Sequence, residues 1–303
     1  MWWCKIKMTI REALQKSIKE LKENNIQEPV LKARILLAFV IGKDKEYLVT
    51  HENENVGCGA KGDQKEIDFE QSVNRLIQGE PLQHITGVQE FMKLKFVVNK
   101  DVLIPRSDTE ILAEEVIKIL QKNVGVAQWA TRPAKPAQIL DLCTGSGAIA
   151  ISIAKYVENA TVLGTDISQN ALNIAEQNAI NNNVKIQFFQ SDLFVNVKGK
   201  FDLIVSNPPY IEREKIKKLD MEVQNEPRAA LDGGEDGLDF YRKTIAEAYK
   251  YLKPEGYLCL EIGYNQKESV IQLIEESNHY RNIYSKKDLA NNDRVVICRF
   301  HQK

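Results

Sequence analysis

A chain of 303 residues, 43% hydrophobic and 27% charged, has the make-up of a globular protein with room for two unequal domains. Its 41 basic and 42 acidic side chains leave a net charge of −1, which weighs against a surface made for stable nucleic-acid binding. Five scattered cysteines without a C-x-x-C pair and four dispersed histidines argue against a disulfide framework or zinc ligand set, and no apolar run is long enough to span a membrane.

The start, Met1–Lys7, is too short and too polar for a signal peptide, so the expected address is the cytoplasm with reduced thiols. Thr9 and Glu12 have the spacing of a capping box, and Leu14, Ile18 and Leu21 follow at helical intervals. Pro29 is placed to open a second helix carrying Leu31, Ile35, Leu36 and Phe39. After a polar loop over His51–Asp63, Phe69, Val73, Leu76 and Ile77 mark a third. Residues 1–78 are therefore expected to form a small helical domain. Residues 79–104 are read as a linker whose alternating Leu94, Phe96 and Val98 suit a β-hairpin.

A second capping box, Ser107 to Glu110, precedes a helix with Ile111, Leu112, Val116 and Ile119 on one face, and Asn123–Ala137 reads as a loop. Beyond it, short apolar runs alternate with helical patterns. Strands are expected at Ile139–Leu140, Val162–Gly164, Ile186–Phe189, Phe201–Val205, Tyr257–Ile262 and Val295–Phe300, with helices over Ala148–Tyr156 and Ala171–Ile180. Such alternation predicts an α/β fold over residues 105–303, a doubly wound and mostly parallel sheet with helices on both faces. Ligands of these sheets bind beyond the carboxyl ends of the strands, so chemistry is sought there.

The first such end reads Asp141-Leu142-Cys143-Thr144-Gly145-Ser146-Gly147. Two glycines let the backbone approach a ligand, but with Ala150 the run also fits a dinucleotide fingerprint, and a bare tight turn is a third reading. The second ends in Asp166, suited to a ribose diol or to capping the next helix, a role Ser168 could equally fill. The third ends in Asp192-Leu193, where the acid could meet an adenine amino group and the leucine cover its ring. The fourth ends in Asn207-Pro208-Pro209-Tyr210 and discriminates among these. The Asn207 oxygen and the Pro208 carbonyl can accept both N–H bonds of a planar amide or aromatic amine, whose delocalised nitrogen is a poor nucleophile. Two prolines stiffen the loop, and Tyr210 can lie flat against the planar group. Catalysis would come from orientation and placed dipoles, with no strong base. A dehydrogenase has no use for this arrangement, whereas transfer of a sulfonium methyl group does.

These motifs resemble the class I S-adenosylmethionine methyltransferases that act on exocyclic or amide nitrogens, with a Rossmann-like, doubly wound, mostly parallel seven-stranded sheet. Pro81–Gly87, Leu103–Glu110, Glu226–Gly237, Glu261–Tyr264 and Asp293–Val296 narrow the resemblance to the release-factor glutamine N5-methyltransferases, the PrmC/HemK family, over nearly the whole chain from Met8. The resemblance implies methylation of the glutamine in the Gly-Gly-Gln motif of class 1 peptide chain release factors, with S-adenosyl-L-methionine as methyl donor. It implies that the helical domain docks the factor. Cys143, Thr144, Gly145, Ser146 and Gly147 would wrap the methionine moiety, Asp166 would hold the ribose, and Asp192 and Leu193 would border the adenine. Asn207, Pro208, Pro209 and Tyr210 would grip the glutamine amide, with Asn207 also bordering the methyl donor. Pro105 and Arg106 resemble a segment that closes over the cofactor. Cys143 stands where glycine is common, Leu193 where a larger aromatic can occur, and His84 and Ser107 where tyrosine and proline are frequent.

An N6-adenine methyltransferase of DNA or RNA would share the Asn207–Tyr210 geometry. It would need a basic surface for its duplex, yet the basic run Arg213–Lys218 is interleaved with Glu212 and Glu214. A non-enzymatic binding module would be expected to lose the acceptor motif, which is intact. With no heptad seam or dimer stripe, a monomer is expected.

Overall fold

The structure is a computed structural model that describes residues 8–56, 62–127 and 135–302. The Met1–Lys7 segment, Cys4, Cys58 and part of each expected loop lie outside the described residues. The chain divides into two compact units, Met1–Gly87 with Met221–Asn225, and Val88–Asp220 with Glu226–Lys303.

The first unit is helical: α1 (Ile10–Glu23), α2 (Pro29–Ile41), α3 (Lys45–Thr50), α4 (Gly62–Ile77) and α5 (Leu82–Thr86). The capping box forms as expected, with Thr9 accepting from the Glu12 N–H and Glu12 accepting from the Thr9 N–H. Such a cap is worth about 1 kcal/mol. Ile10, Ala13, Ser17 and Leu21 then turn to the core at three- and four-residue steps. Ile10, Ala13 and Leu21 meet Leu36 and Leu37 of α2 and Phe69, Val73 and Leu76 of α4 in one apolar cluster. Pro29 occupies the first turn of α2, where its missing N–H costs nothing. The Met221–Asn225 segment belongs here through the Lys32–Glu222 ion pair and the bond from Asn225 Nδ2 to the Gly79 carbonyl at 2.7 Å.

The second unit opens with the hairpin β1 (Val88–Phe91) and β2 (Leu94–Val97), joined by Met92 and Lys93 with both φ positive, as a type I′ turn requires. Next come α6 (Ser107–Ala127), β3 (Ala137–Leu142), α7 (Ala148–Tyr156), β4 (Ala160–Asp166), α8 (Gln169–Asn181), β5 (Gln187–Gln190) and β6 (Phe201–Ser206). After β6 come the short helix α9 (Arg213–Ile216), α10 (Met221–Gln224), which belongs to the first unit, a 3₁₀ turn at Arg228–Ala230, α11 (Asp239–Ala248), β7 (Leu252–Glu261), α12 (Lys267–Ser277), β8 (Tyr280–Lys287) and β9 (Asp293–Phe300).

The seven-stranded sheet runs β5-β4-β3-β6-β7-β9-β8, with only β9 antiparallel to its neighbours. Successive residues alternate between faces. Leu140, Leu142, Ile204, Leu258 and Leu260 join Tyr241, Ile245, Val270 and Ile274 of α11 and α12. Ile139, Leu203, Val205 and Cys259 join Leu112, Val116, Ile149 and Ile153 of α6 and α7. Burial on both faces is why these strands read as continuous apolar runs. The chain moves outward from β3 to β5 and then returns to β6 beside β3, which opens a crevice at the carboxyl ends of that central pair.

Three local expectations are corrected. Helix α6 continues to Ala127, through residues read as loop. It starts at Ser107 itself, and Glu110 does not close a capping box: its Oε1 accepts the Met92 N–H at 2.5 Å, tying α6 to the hairpin. Strand β8 was not foreseen, because an edge strand with the sequence Tyr280-Arg-Asn-Ile-Tyr-Ser-Lys-Lys has no apolar run.

Candidate active site

The loop after β3 is drawn tight by a carboxylate beneath it. Asp141 is fully buried, and its Oδ2 accepts from the Thr144 hydroxyl at 2.6 Å and from the Ala150 N–H, in the first turn of α7, at 3.2 Å. Its Oδ1 has no partner. Burial pushes this carboxyl up to about 7, against the pull of those two donors, and the charge of Asp166 pushes the same way. Above it, Cys143, Gly145 and Gly147 all have positive φ (59°, 53° and 81°). No heavy atom lies within 4 Å of where a Gly145 Cβ would sit, so that face of the loop is open space. Asn178 of α8 fixes the far side, donating to the carbonyls of Ser146 and Val97 at 3.0 Å each and accepting the Val97 N–H.

Hydrogen bonds lace the strand ends together. Gly145 N–H donates to Asp166 Oδ2 at 2.9 Å, Ser168 N–H donates to Oδ1 at 2.9 Å, and Thr144 N–H donates to the Thr165 carbonyl. Burial pushes the Asp166 carboxyl up while those N–H groups pull it down. Asp166 does not cap α8; Ser168 does, accepting from the Ala171 N–H at 3.2 Å. The Ser191 N–H reaches the Asp166 carbonyl, placing Asp192 and Leu193 beside β4. Asp192 is exposed, and Leu193 is half-buried with φ 47°. Ser206 donates to the Leu142 carbonyl at 2.8 Å, joining β6 to β3. The Cys143 thiol is pushed far up by burial, then by the charges of Asp166, Asp141 and Asp192. A thiol held protonated in this way is a poor nucleophile.

Asn207 leaves β6 half-buried, with Pro208 and Pro209 buried behind it. Its Nδ2 donates to Thr109 Oγ1 on α6 at 3.2 Å. The Tyr210 carbonyl accepts from Gln266 Nε2 at 2.9 Å, while Gln266 Oε1 accepts the Gly263 N–H. Ile211 bridges to the segment after the 3₁₀ turn, its N–H on the Leu231 carbonyl and its carbonyl on the Gly233 N–H. Gly237, at φ 77°, lies so near that a Cβ there would stand 2.4 Å from the Tyr210 carbonyl oxygen. The Tyr210 hydroxyl donates to Glu261 Oε1 at 3.4 Å. Burial pushes the Glu261 carboxyl up to about 7, helped by Asp108 and opposed by the Thr109 hydroxyl, Arg294 and the Tyr210 hydroxyl. Arg106 pairs with the buried Glu226, whose Oε2 also accepts the Ile104 N–H at 2.9 Å, which anchors the Pro105–Arg106 segment.

All twelve candidate residues thus lie at the carboxyl ends of β3, β4, β5 and β6. Gln266 and Asn178 were missed, because they act on the loops from a distant turn and from a helix, and Thr109 and Glu226 entered only within resembling motifs, without a role. Glu261 entered only within a resembling motif. Its signal is a charge closing an apolar strand, Leu258-Cys259-Leu260-Glu261, in a sheet whose strand ends carry chemistry. Among the described residues, no group of histidine, cysteine or acidic side chains is placed to hold a metal ion.

Residues 12–87 match the family model described as PrmC N-terminal domain, and residues 126–235 match Methyltransferase small domain. A release factor glutamine methyltransferase of Moorella thermoacetica is 39% identical over 294 residues, covering 96% of this chain and 98% of that protein. One from Clostridium acetobutylicum is 38% identical over 297 residues, with 96% and 98% covered. The solved release-factor-specific protein-(glutamine-N5) methyltransferase of Alicyclobacillus acidocaldarius superimposes at a TM-score of 0.40 and 29% identity, over 68% of this chain and 100% of that one. The sequence relatives, not that superposition, carry the assignment: the chain belongs to the release factor glutamine methyltransferases.

Proposed function

We infer that the chain transfers a methyl group from S-adenosyl-L-methionine to the side-chain amide nitrogen of a release-factor glutamine, in the Gly-Gly-Gln motif of class 1 factors. The observation that carries this reading is the Asn207–Tyr210 loop at the end of β6, braced by Gln266, Gly233 and Gly237, with the Asn207 carboxamide held by its nitrogen. Held so, Asn207 offers its oxygen, and Pro208 its carbonyl, to the two N–H groups of a substrate amide. Placed acceptors favour the positive charge that grows on the nitrogen as the new bond forms. Tyr210 stacks on the amide plane.

The residues fit the methyl donor. The open face at Gly145 admits a ligand against the backbone, and the Asp166 carboxylate, which accepts the Gly145 and Ser168 N–H groups, has further lone pairs for a ribose hydroxyl. The acidic side chains of Asp166 and Asp192 at the ends of β4 and β5 suit a sulfonium cation better than the pyrophosphate of a dinucleotide. When bound, S-adenosyl-L-methionine supplies an electrophilic methyl group. Cys143, Thr144, Gly145, Ser146 and Gly147 would enclose its methionine part, Asp192 and Leu193 its adenine, and Asn207 would border the methyl group.

The helical unit is the proposed docking surface for the release factor, and a cytoplasmic monomer acting on protein is the form proposed. Among the described residues no helix is long and apolar enough to cross a membrane. The test is transfer from labelled donor to a purified release factor, beside its Gln-to-Ala variant and bulk nucleic acid. Label on the intact factor alone is expected; label on nucleic acid would move the function to base modification.

A further inference from the structure

Two buried carboxamides hold the two loops that meet at the strand ends, and each is fixed in one orientation by its partners. Asn178 on α8 is fully buried; its Oδ1 accepts the Val97 N–H at 2.6 Å, and its Nδ2 donates to the Val97 and Ser146 carbonyls at 3.0 Å each. Gln266, just before α12, is 7% exposed. Its Oε1 accepts the Gly263 N–H at 2.9 Å, and its Nε2 donates to the Tyr210 carbonyl at 2.9 Å and the Gly237 carbonyl at 3.2 Å. A carboxamide can lie either way round with nearly the same shape, but a backbone N–H only donates and a backbone carbonyl only accepts. Turning either side chain over would break three bonds and set oxygen against oxygen in a buried place.

The two hold different things. Asn178 seats the loop after β3 on α8 through the Ser146 carbonyl. One turn earlier on the same helix face, Ala175 lies so close beneath Gly147 that a Cβ there would stand 3.1 Å from its own. Gln266 instead ties the loop after β6, at Tyr210, to the turn at Gly237 and to Gly263 beyond β7. Among the described residues, no hydrogen-bond partner is common to the two carboxamides.

We propose that Asn178 and Gln266 are positioning residues for separate steps: Asn178 sets the loop that receives the methyl donor, and Gln266 sets the loop that aims the acceptor amide. This rests on the reading of residues 143–147 as the donor loop and 207–210 as the acceptor loop. Without Asn178 the Ser146 peptide is free to turn beside the open face at Gly145, and donor binding suffers. Without Gln266 the Tyr210 peptide is free to turn, so a bound amide is poorly aimed and the rate at saturation suffers.

The experiment measures donor affinity by calorimetry, with kcat and KM for the release factor, in the full chain carrying Asn178→Leu or Gln266→Met. Each change keeps the outline of the side chain and removes its bonds. Asn178→Leu is expected to weaken donor affinity roughly ten- to hundredfold while kcat at saturating donor stays within about threefold. Gln266→Met is expected to lower kcat roughly ten- to hundredfold with donor affinity within about twofold. A merely structural role would lower the melting temperature without this crossed pattern. Should either variant not fold by circular dichroism, the alanine replacement, which leaves room for water on the abandoned carbonyls, is read in the same way with smaller losses. Wild-type donor affinity in the Asn178 variant, wild-type kcat in the Gln266 variant, or one shared pattern in both would overturn the proposal. Asp166→Ala and Asn207→Ala run alongside. If the first loses donor affinity and the second loses kcat, the reading of the loops stands whichever way the carboxamide variants fall. A wild type that methylates no glutamine overturns both.

Discussion

The loops that leave the adjacent strands β3 and β6 meet opposite requirements. Residues 143–147 take three positive φ values and leave open space beside Gly145, whereas residues 207–210 carry two buried prolines and are gripped from behind by Gly237 and Gln266. The first loop leaves room for a ligand against its backbone. The second, in the function proposed, aims one carboxamide and one carbonyl. Flexibility at glycine is thus spent in different places: in the binding loop glycine lies in the loop itself, and for the acceptor loop it lies in the brace.

The sharpest separation between the two loops is Asn207→Ala against Asp166→Ala. Asn207→Ala is expected to lower kcat on the order of 10²- to 10³-fold, with donor affinity by calorimetry changed little. Asp166→Ala is expected to weaken donor affinity roughly ten- to a hundredfold, the worth of one or two charge-assisted hydrogen bonds. Matching kinetic patterns in the two variants would erase the division of labour.

A second pair probes the glycines. In Gly237→Ala the new methyl group meets the Tyr210 carbonyl oxygen at 2.4 Å, at a positive φ as well, so the acceptor loop must shift. A loss of about 2–4 kcal/mol in denaturant unfolding, with kcat falling, is expected from overpacking and backbone strain together. Gly145→Ala meets nothing and carries the backbone strain alone, about 1–2 kcal/mol, but its methyl group intrudes where the ligand would lie. Donor affinity should fall while the unfolding midpoint moves less than in Gly237→Ala. Equal stability losses in both would show that the brace is not packed as described.

The brace also has a pH signature. The Glu261 carboxyl, facing Thr109, Tyr210, Asp108 and Arg294, is held up to about 7 from an ordinary 4.5. Below the ordinary value both folded and unfolded chains hold the proton and the fold pays nothing for it. Between about 4.5 and 7 the unfolded chain ionises while the folded one keeps its proton, so stability is lost across that window; above 7 both are ionised and the loss is complete. Glu261→Gln cannot ionise. It should therefore melt several degrees above wild type at about pH 8 and close to it at about pH 5, as followed by circular dichroism. A constant gap across that range would remove the carboxyl from the ledger.

Sequence pattern revealed much of the second unit because its strands are buried on both faces: Ile139–Leu142 and Leu258–Leu260 are apolar at every or nearly every position. The edge strand Tyr280–Lys287 was hidden for the same reason in reverse. Strand-end motifs pointed to Asp166 and Asn207 because local spacing carries them. Thr109 and Gln266 escaped because their roles depend on bonds to residues 98 and 56 positions away, which no window along the chain contains.

The smallest expected effect concerns Cys143, whose φ of 59° places a Cβ where the left-handed region penalises it. Cys143→Gly relieves about 1–2 kcal/mol of strain and costs about 0.5–1 kcal/mol in added freedom of the unfolded chain. A net gain of up to about 1.5 kcal/mol in denaturant unfolding follows, less whatever packing the thiol contributes. Transfer activity should persist, since burial and three nearby carboxylates keep this thiol neutral and give it no part in the chemistry. If Cys143→Gly instead lost activity with donor affinity intact, the open loop after β3 would share in orienting the acceptor, and the contrast between the two loops would fail at that residue.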